Sequence, residues 1–421
     1  MDQKKALNKL ILVAALGYFV DIYDLLLFGV ERTASLKEIL PLQFGNLSAE
    51  KLAELNVYYG KMLLNWQMGG MLLGGLFWGV LGDKKGRLSV LFGSILLYSI
   101  ANIANGFVNT TFWYAVARFI SGFGLAGELG AGITLISESM SKEKRGIGTM
   151  IVATVGVFGA VVAGFMGDVI ENWRHSYFLG GGMGLALLIL RIGVFESGMF
   201  KNLREEKIAR GNFFQLFDSR HRLVKYLCII FVTVPVWYVM GTLVLFSPEL
   251  FARLSGNPEN AKLISAGKSI MYAYSGITVG DLVCGAVSQW WRSRKKTLAL
   301  FLILTVIAMI AYFTIGGKSV GVFNGIIIFM GFATGYWAVF ISTASELFGT
   351  NIRATATTTA PNFVRGSTIL ISYLLAGMGL IFGTKDITAT VVTGVVIMGI
   401  AFVSLYYLEE TFGKDLDYIE K

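Results

Sequence analysis

Apolar runs of about twenty residues, separated by short polar stretches, recur along this chain from one end to the other, and each is long enough to cross a ~30 Å hydrocarbon core as a helix. Inside lipid the backbone must satisfy its own hydrogen bonds, so these runs are expected to be helices rather than open strands. The pattern predicts twelve spans, at 8–36, 56–81, 88–108, 112–138, 147–169, 176–195, 225–248, 264–289, 297–316, 320–346, 355–381 and 388–408. The longest polar interruption begins at Lys201 and reads as a linker, 201–224, between six-span halves at 1–200 and 225–421. Within it, Phe213, Phe214, Leu216 and Phe217 form either part of a solvated connector or a short amphipathic helix at the membrane interface. The expected fold is an all-α integral membrane protein of two six-helix bundles.

Composition agrees with this pattern. Hydrophobic residues make up 55% and charged residues 15%, against roughly 25% charged in soluble domains. The 51 glycines suit close helix packing. Cys228 and Cys284 both fall inside spans and read as packing residues, not a disulfide. With His175 and His221 the only histidines, no His/Cys metal cluster is expected, and no cofactor. The opening MDQKKALNKL runs into the first span without a small-residue cleavage site, which predicts a retained span.

A net charge of +9 raises the question of nucleic acid, but its distribution points to membrane topology. Lys84, Lys85, Arg87, Lys142, Lys144, Arg145, Arg292, Arg294, Lys295 and Lys296 all fall on the side of the termini. The opposite side holds only Lys37, Lys51, Arg174, Arg253, Lys262, Lys318 and Lys385. By the positive-inside bias, both termini are expected in the cytoplasm of a cell-membrane protein, with lipid and a small molecule as partners and no nucleic acid. A monomer is expected.

The halves repeat. Ser137-Glu138 followed by Arg145 recurs as Ser345-Glu346 followed by Arg353, at an offset of 208 residues. GVLGDKKGR, Gly79 to Arg87, has a worn counterpart starting at Gly285, with Gln289 where Asp83 stands. Parallel repeats of six spans place a substrate site between the halves, near the bilayer midplane.

GVLGDKKGR closely resembles the signature loop between spans two and three of the major facilitator superfamily, and through the repeat the resemblance covers the whole chain. It implies secondary active transport by alternating access, with no enzyme activity. It also implies an inner gate of Asp83, Arg87, Glu138 and Arg145, matched in the second half by Glu346 and Arg353. Gln289 implies a weaker second latch.

Charges inside the spans are the next signal, since each costs at least ~2.5–3.5 kcal/mol near the membrane centre. Asp21 and Asp24, in GYFVDIYDLLLFG, share one helix face at i,i+3. Two carboxylates so close should not both stay ionised in a poorly hydrated cavity, which suits proton acceptors. The alternatives are a hydrogen-bond network around Asp21, or sodium ligation. Span four carries Arg118 and, ~15 Å deeper, Glu128. Its pattern R-x-x-x-G-x-G-x-x-G-E resembles sugar porters and the metabolite, nicotinate and organic-ion transporters. That resemblance implies Asp24 as proton acceptor and Arg118 as its partner. Glu128 is a second acceptor, a substrate contact or a helix–helix hydrogen bond.

Arg365 in span eleven lies twelve residues beyond Arg353, about 18 Å deep, and cannot shed its charge. The segment ELFGTNIRATATTTAPNFVRG resembles the same organic-anion branch, implying that Arg365 contacts an anionic substrate; the alternative is a permanent pair with Glu128 or Asp281. Lys268 reads as snorkelling at a span end. Trp237, Tyr238, Tyr272, Tyr274, Tyr336 and Trp337 are either substrate-stacking or packing residues. Pro235 and Pro361 free carbonyls and permit kinks.

The sugar-porter glutamine pair is missing from TVPVWYVMGTLVLFSPEL, and the antiporter Gly-Pro is missing from GVFGAVVAGFMG. The expected function is therefore proton-coupled symport of a small organic anion, a carboxylate. The alternatives are an inorganic phosphate symporter, which shares Asp21-Ile22-Tyr23-Asp24, and a non-transporting nutrient receptor.

Overall fold

The structure is a computed structural model and describes residues 3–85, 87–130, 132, 145–195, 213–349, 352–382 and 387–414. The first half contains α1 (Gln3–Phe44), α2 (Ala49–Lys85), α3 (Arg87–Asn105), α4 (Thr111–Leu125), α5 (Arg145–Val169) and α6 (Trp173–Phe195). The second contains α7 (Arg220–Tyr238), α8 (Ser247–Leu254), α9 (Ala266–Trp291), α10 (Arg294–Ile315), α11 (Val320–Ala333), α12 (Trp337–Leu347), α13 (Arg353–Phe382) and α14 (Thr388–Tyr407). Among the described residues nine helical segments are long and apolar enough to cross a membrane; α2, α3 and α4 complete the twelve spans.

Two interfaces join the halves, α2 against α13 and α5 against α9, related by the same pseudo-symmetry as the sequence repeat. Outward-facing apolar side chains, such as Phe112 and Ile189 in the first half and Trp290 and Leu380 in the second, leave each bundle with a lipid-facing surface. Cys228 and Cys284 are buried and unlinked.

The helices depart from the span pattern at informative places. α1 runs on to Phe44, carrying Glu38 towards the surface. α7 starts at Arg220, inside the stretch expected as linker. Phe213–Leu216 forms a single 3-10 turn instead of an amphipathic helix at the interface. Leu216 is buried, and the Phe213 ring stacks on Phe363 at 6.2 Å. The turn thus fills a cleft against α2, α7 and α13 where its rings find apolar partners.

Two spans are interrupted at equivalent places. After α4 the chain turns at Ala126 and Gly127 and resumes helix at Glu128. At the repeat offset, α11 ends at Ala333 and the chain passes Thr334–Tyr336 before α12. Each break exposes backbone groups that need partners in lipid. Asn362 of α13 donates its Nδ2 to the Ala126 carbonyl at 2.9 Å, across the two halves. Asp281 of α9 accepts the Ala338 amide at 3.1 Å, within the second half. In α7, Pro235 cannot donate a backbone hydrogen bond, and the helix widens beyond it into a π turn, Val239–Val244.

Candidate functional site

Between the halves lies a narrow space lined by Tyr18 and Ile22 of α1, Val157, Val236, Trp237, Tyr274, Ile277, Thr334, Trp337 and Arg365. A second narrow, apolar space adjoins it, sharing Trp237 and Tyr274 and lined otherwise by residues such as Leu26, Leu64, Met68 and Met240. The π turn of α7 forms part of that apolar wall. Both spaces sit where α1 and α5 face α7, α9 and α12, close to the two helix breaks.

The halves touch on both sides of this space. Towards the termini, Asn362 bridges to Ala126, and Gly130 lies against Thr358. On the opposite side, Arg32 of α1 pairs with Glu249 of α8 at 2.8 Å and stacks over Phe246 at 4.5 Å. Arg32 is fully buried, whereas the Glu249 side chain is 27% exposed, so the latch is shielded from water on the Arg32 side only. Lys268, expected to snorkel, reaches Asp168 of α5 at 3.9 Å, a half-exposed pair that adds little.

Arg365 is 1% exposed, and its Nε and Nη1 have no hydrogen-bond partner. Its guanidinium lies 5.6 Å from the Trp337 ring centre. Neither Glu128 nor Asp281 pairs with it: Glu128 is bound elsewhere, and Asp281 Oδ1 caps α12. The buried guanidinium thus faces the space with two donor nitrogens unused.

Asp21 and Asp24 are completely buried, and none of their four carboxylate oxygens has a hydrogen-bond partner. Among charged groups, Arg365 acts most strongly on Asp21, and Arg118 on Asp24. Asp24 points away from the cavity, into the first half, where Gly180 of α6 leaves room for its carboxylate. Arg118 makes no ion pair with it. Instead, Arg118 Nη1 reaches Asn102 Oδ1 at 3.4 Å and the guanidinium lies over Phe28 and Tyr177. Asp24, Asn102 and Arg118 form one buried polar cluster on α1, α3 and α4.

Glu128, read as an acceptor or a substrate contact, forms a two-pronged pair with Arg191 of α6. Both side chains are buried, and Gly17 of α1 packs against them. The sequence reading did not single out Arg191, because nothing in one sequence says that it meets Glu128. Tyr238 and Tyr336 do not face the cavity: their hydroxyls donate to the Thr390 and Val232 carbonyls, at 2.5 and 3.2 Å. Trp237, Tyr274 and Trp337 do line it. So does Tyr18, which the sequence reading missed although its i,i+3 spacing to Asp21 puts both on one helix face.

Glu138 and the side chains of Asp83, Arg87 and Arg145 lie outside the described residues. In the second half, Glu346 pairs with Arg294, with Nη2 at 2.9 Å and Nε at 3.3 Å. Arg353 donates its Nε to the Ser345 and Phe348 carbonyls. Thr411 and Glu410, just after α14, join this latch. Thr411 donates to Glu346 at 2.7 Å, and Glu410 accepts from the Ser293 hydroxyl and the Arg294 amide. Arg294, the first residue of α10, thus holds the latch, even though Gln289 stands at the acidic position of the repeat.

A family model described as the Major Facilitator Superfamily matches residues 52–360. This chain belongs to the Major Facilitator Superfamily. Its fold is similar to the proton:xylose symporter XylE bound to 6-bromo-6-deoxy-D-glucose, with a TM-score of 0.71, 15% identity and 98% of each chain covered. Among named relatives, the 3-(3-hydroxy-phenyl)propionate transporter of Escherichia coli K12 is 27% identical, over 90% of this chain and 93% of its own length. The niacin transporter NiaP of Acinetobacter baylyi is 26% identical, over 68% of this chain and 70% of its own. The proline/betaine transporter of Escherichia coli K12 is 25% identical, over 88% and 76%. The superfamily member described here is a multi-pass membrane transporter of a small molecule and not an enzyme.

Proposed function

We propose that this protein is a proton-coupled symporter of a small organic carboxylate, with both termini in the cytoplasm. The observation that carries the reading is Arg365: buried, unpaired, and facing a cavity walled by Trp337, Trp237, Tyr274 and Tyr18. A planar guanidinium takes a carboxylate through two parallel hydrogen bonds, and the adjoining apolar side chains, Met68 and Met240 among them, would have to part to take the rest of the molecule. Two relatives named for carboxylic acids, the hydroxyphenylpropionate and niacin transporters, support that class.

Coupling falls to Asp24. Its carboxylate is sealed from both surfaces in this closed arrangement and lies in a cluster with Arg118 and Asn102. A carboxyl group that trades a proton for Arg118 changes the charge balance at the core of the first half, and so biases which side opens. Asp21, on the same helix face and under the field of Arg365, links that cluster to the substrate cavity.

The test is uptake into proteoliposomes of labelled benzoate, nicotinate, 3-hydroxyphenylpropionate, phosphate and xylose, with and without an inward proton gradient. Gradient-driven accumulation of a carboxylate is expected. Accumulation of phosphate alone, accumulation that follows a sodium gradient, or binding without transport each overturns the reading.

A further inference from the structure

α1 carries a third buried carboxylate, one that the proposed mechanism does not use. Glu31 is 4% exposed and accepts a hydrogen bond from the Ser176 hydroxyl of α6 at 2.7 Å. It stands seven residues beyond Asp24, and Glu38 stands seven beyond Glu31. Seven residues are nearly two full turns, so the three carboxylates fall on one face of α1 at intervals of ~10 Å. That face packs on α6, whose residues meet the rungs in order. Gly180 lies against Asp24, Ser176 bonds Glu31, and Trp173 and Arg174 bond Glu38 at 2.7 and 2.9 Å. Glu38 is 46% exposed at the far end, whereas Asp24 is fully enclosed.

The spaces between rungs hold hydroxyl groups. The Tyr23 hydroxyl feels the charge of both Asp24 and Glu31 and has no hydrogen-bond partner of its own. Beside them Tyr177 of α6 and Tyr114 of α4 join hydroxyls at 2.8 Å, and Tyr114 meets Ser35 at 3.2 Å. Glu31 acts on both tyrosines, and Arg118 lies over the Tyr177 ring. On α5, Gly167 approaches Glu31 and brings no charge. Among the described residues the polar groups around Glu31 are thus Ser176, in contact, and the Tyr23, Tyr177 and Tyr114 hydroxyls, which feel its charge, and no ion pair holds it. Glu128, in contrast, is fixed by Arg191.

We propose that Glu31 is a proton-relay residue, receiving protons from the side opposite the termini and passing them along the α1–α6 seam to Asp24. A buried carboxylate with one weak donor can gain and lose a proton without breaking an ion pair. The pair of Arg32 and Glu249 joins the halves on that side, and the seam offers a route that does not cross the substrate space. The relay rests on the reading of Asp24 as the proton acceptor.

The experiment is time-resolved infrared spectroscopy of the full-length protein in lipid nanodiscs after a photoreleased acid pulse, and it needs no substrate. The carbonyl band of protonated Asp24 is identified as the one lost in Asp24→Asn. In Glu31→Gln, which keeps an acceptor for Ser176, that band is expected to reach its wild-type amplitude but to rise about a hundredfold more slowly. Glu31→Asp, which restores a titratable group, is expected to recover most of the rate. A wild-type rise in Glu31→Gln overturns the relay alone. Equal slowing in Glu31→Gln and Glu31→Asp also overturns it, because Glu31 then acts through packing. Absence of any band lost in Asp24→Asn overturns the Asp24 reading, and the relay with it.

Discussion

Arg191 of α6 and Glu128 of α4 meet fork to fork inside the first half, with Gly17 of α1 against both. Removing one partner leaves an uncompensated buried charge. Arg191→Met is therefore expected to destabilise the protein by about 3–5 kcal/mol, whereas the double change with Glu128→Gln recovers most of it. Thermal unfolding in detergent measures both. Equal losses in the single and double variants would show that the pair is not what holds this region.

At the cavity, Arg365→Lys keeps the charge but loses the paired donors. A drop of at least about tenfold in carboxylate affinity is expected, a loss of ~1.4 kcal/mol. Calorimetry with the carboxylate identified by uptake measures it, and unchanged affinity would reduce Arg365 to a packing residue over Trp337.

Asp24→Asn fixes a neutral side chain of similar shape beside Arg118. Exchange of labelled for unlabelled substrate at equal pH is expected to persist, while accumulation driven by a proton gradient is abolished. Concentrative uptake at wild-type rates in this variant would move the coupling elsewhere.

Glu410, beyond the end of α14, gives a pH prediction. Its partial burial favours the neutral acid, but bonds from the Ser293 hydroxyl and the amides of Phe412, Arg294 and Lys295 outweigh that and hold its pKa below the ordinary 4.5. A depressed carboxylate contributes stability that is complete above its unfolded value and disappears as pH falls through the folded one. At pH 7, Glu410→Gln is accordingly expected to lower Tm relative to wild type, with the difference closing below about pH 4. A difference that stays constant with pH would mean that the carboxylate's charge is irrelevant there.

On the side opposite the termini, Glu249→Gln leaves Arg32 buried without its counter-charge. That side is expected to open more often, detectable as faster labelling of a cysteine placed at Gly29, which faces Leu245 and Ile270 across the halves. Unaltered labelling would show that the pair does not hold the halves together.

The membrane class, the helix count and the repeat were legible because an apolar run and a charge inside it need no knowledge of neighbours. The same rule exposed Asp21, Asp24, Arg118 and Arg365. It failed where meaning depends on which way a side chain points. Tyr238 and Tyr336 sit beside true cavity residues in the chain but turn to backbone carbonyls. Arg191 and Glu31 were not singled out, because nothing in one sequence says that Arg191 meets Glu128 or that Glu31 meets Ser176. The second-half latch was assigned by the repeat to Glu346 and Arg353, whereas Glu346 pairs with Arg294. Register between distant helices decides that pairing, and one sequence does not contain it.

The two broken spans share an origin in the repeat but have diverged in what mends them. Asp281 repairs the gap before α12 from inside its own half, so that joint travels as a unit whenever the halves rock. Asn362 repairs the gap at Ala126 from the other half, so that bond must part each time the termini side opens and re-form each time it shuts. Ancestral symmetry has thus produced one splice made within a half and one that exists only where the two halves meet.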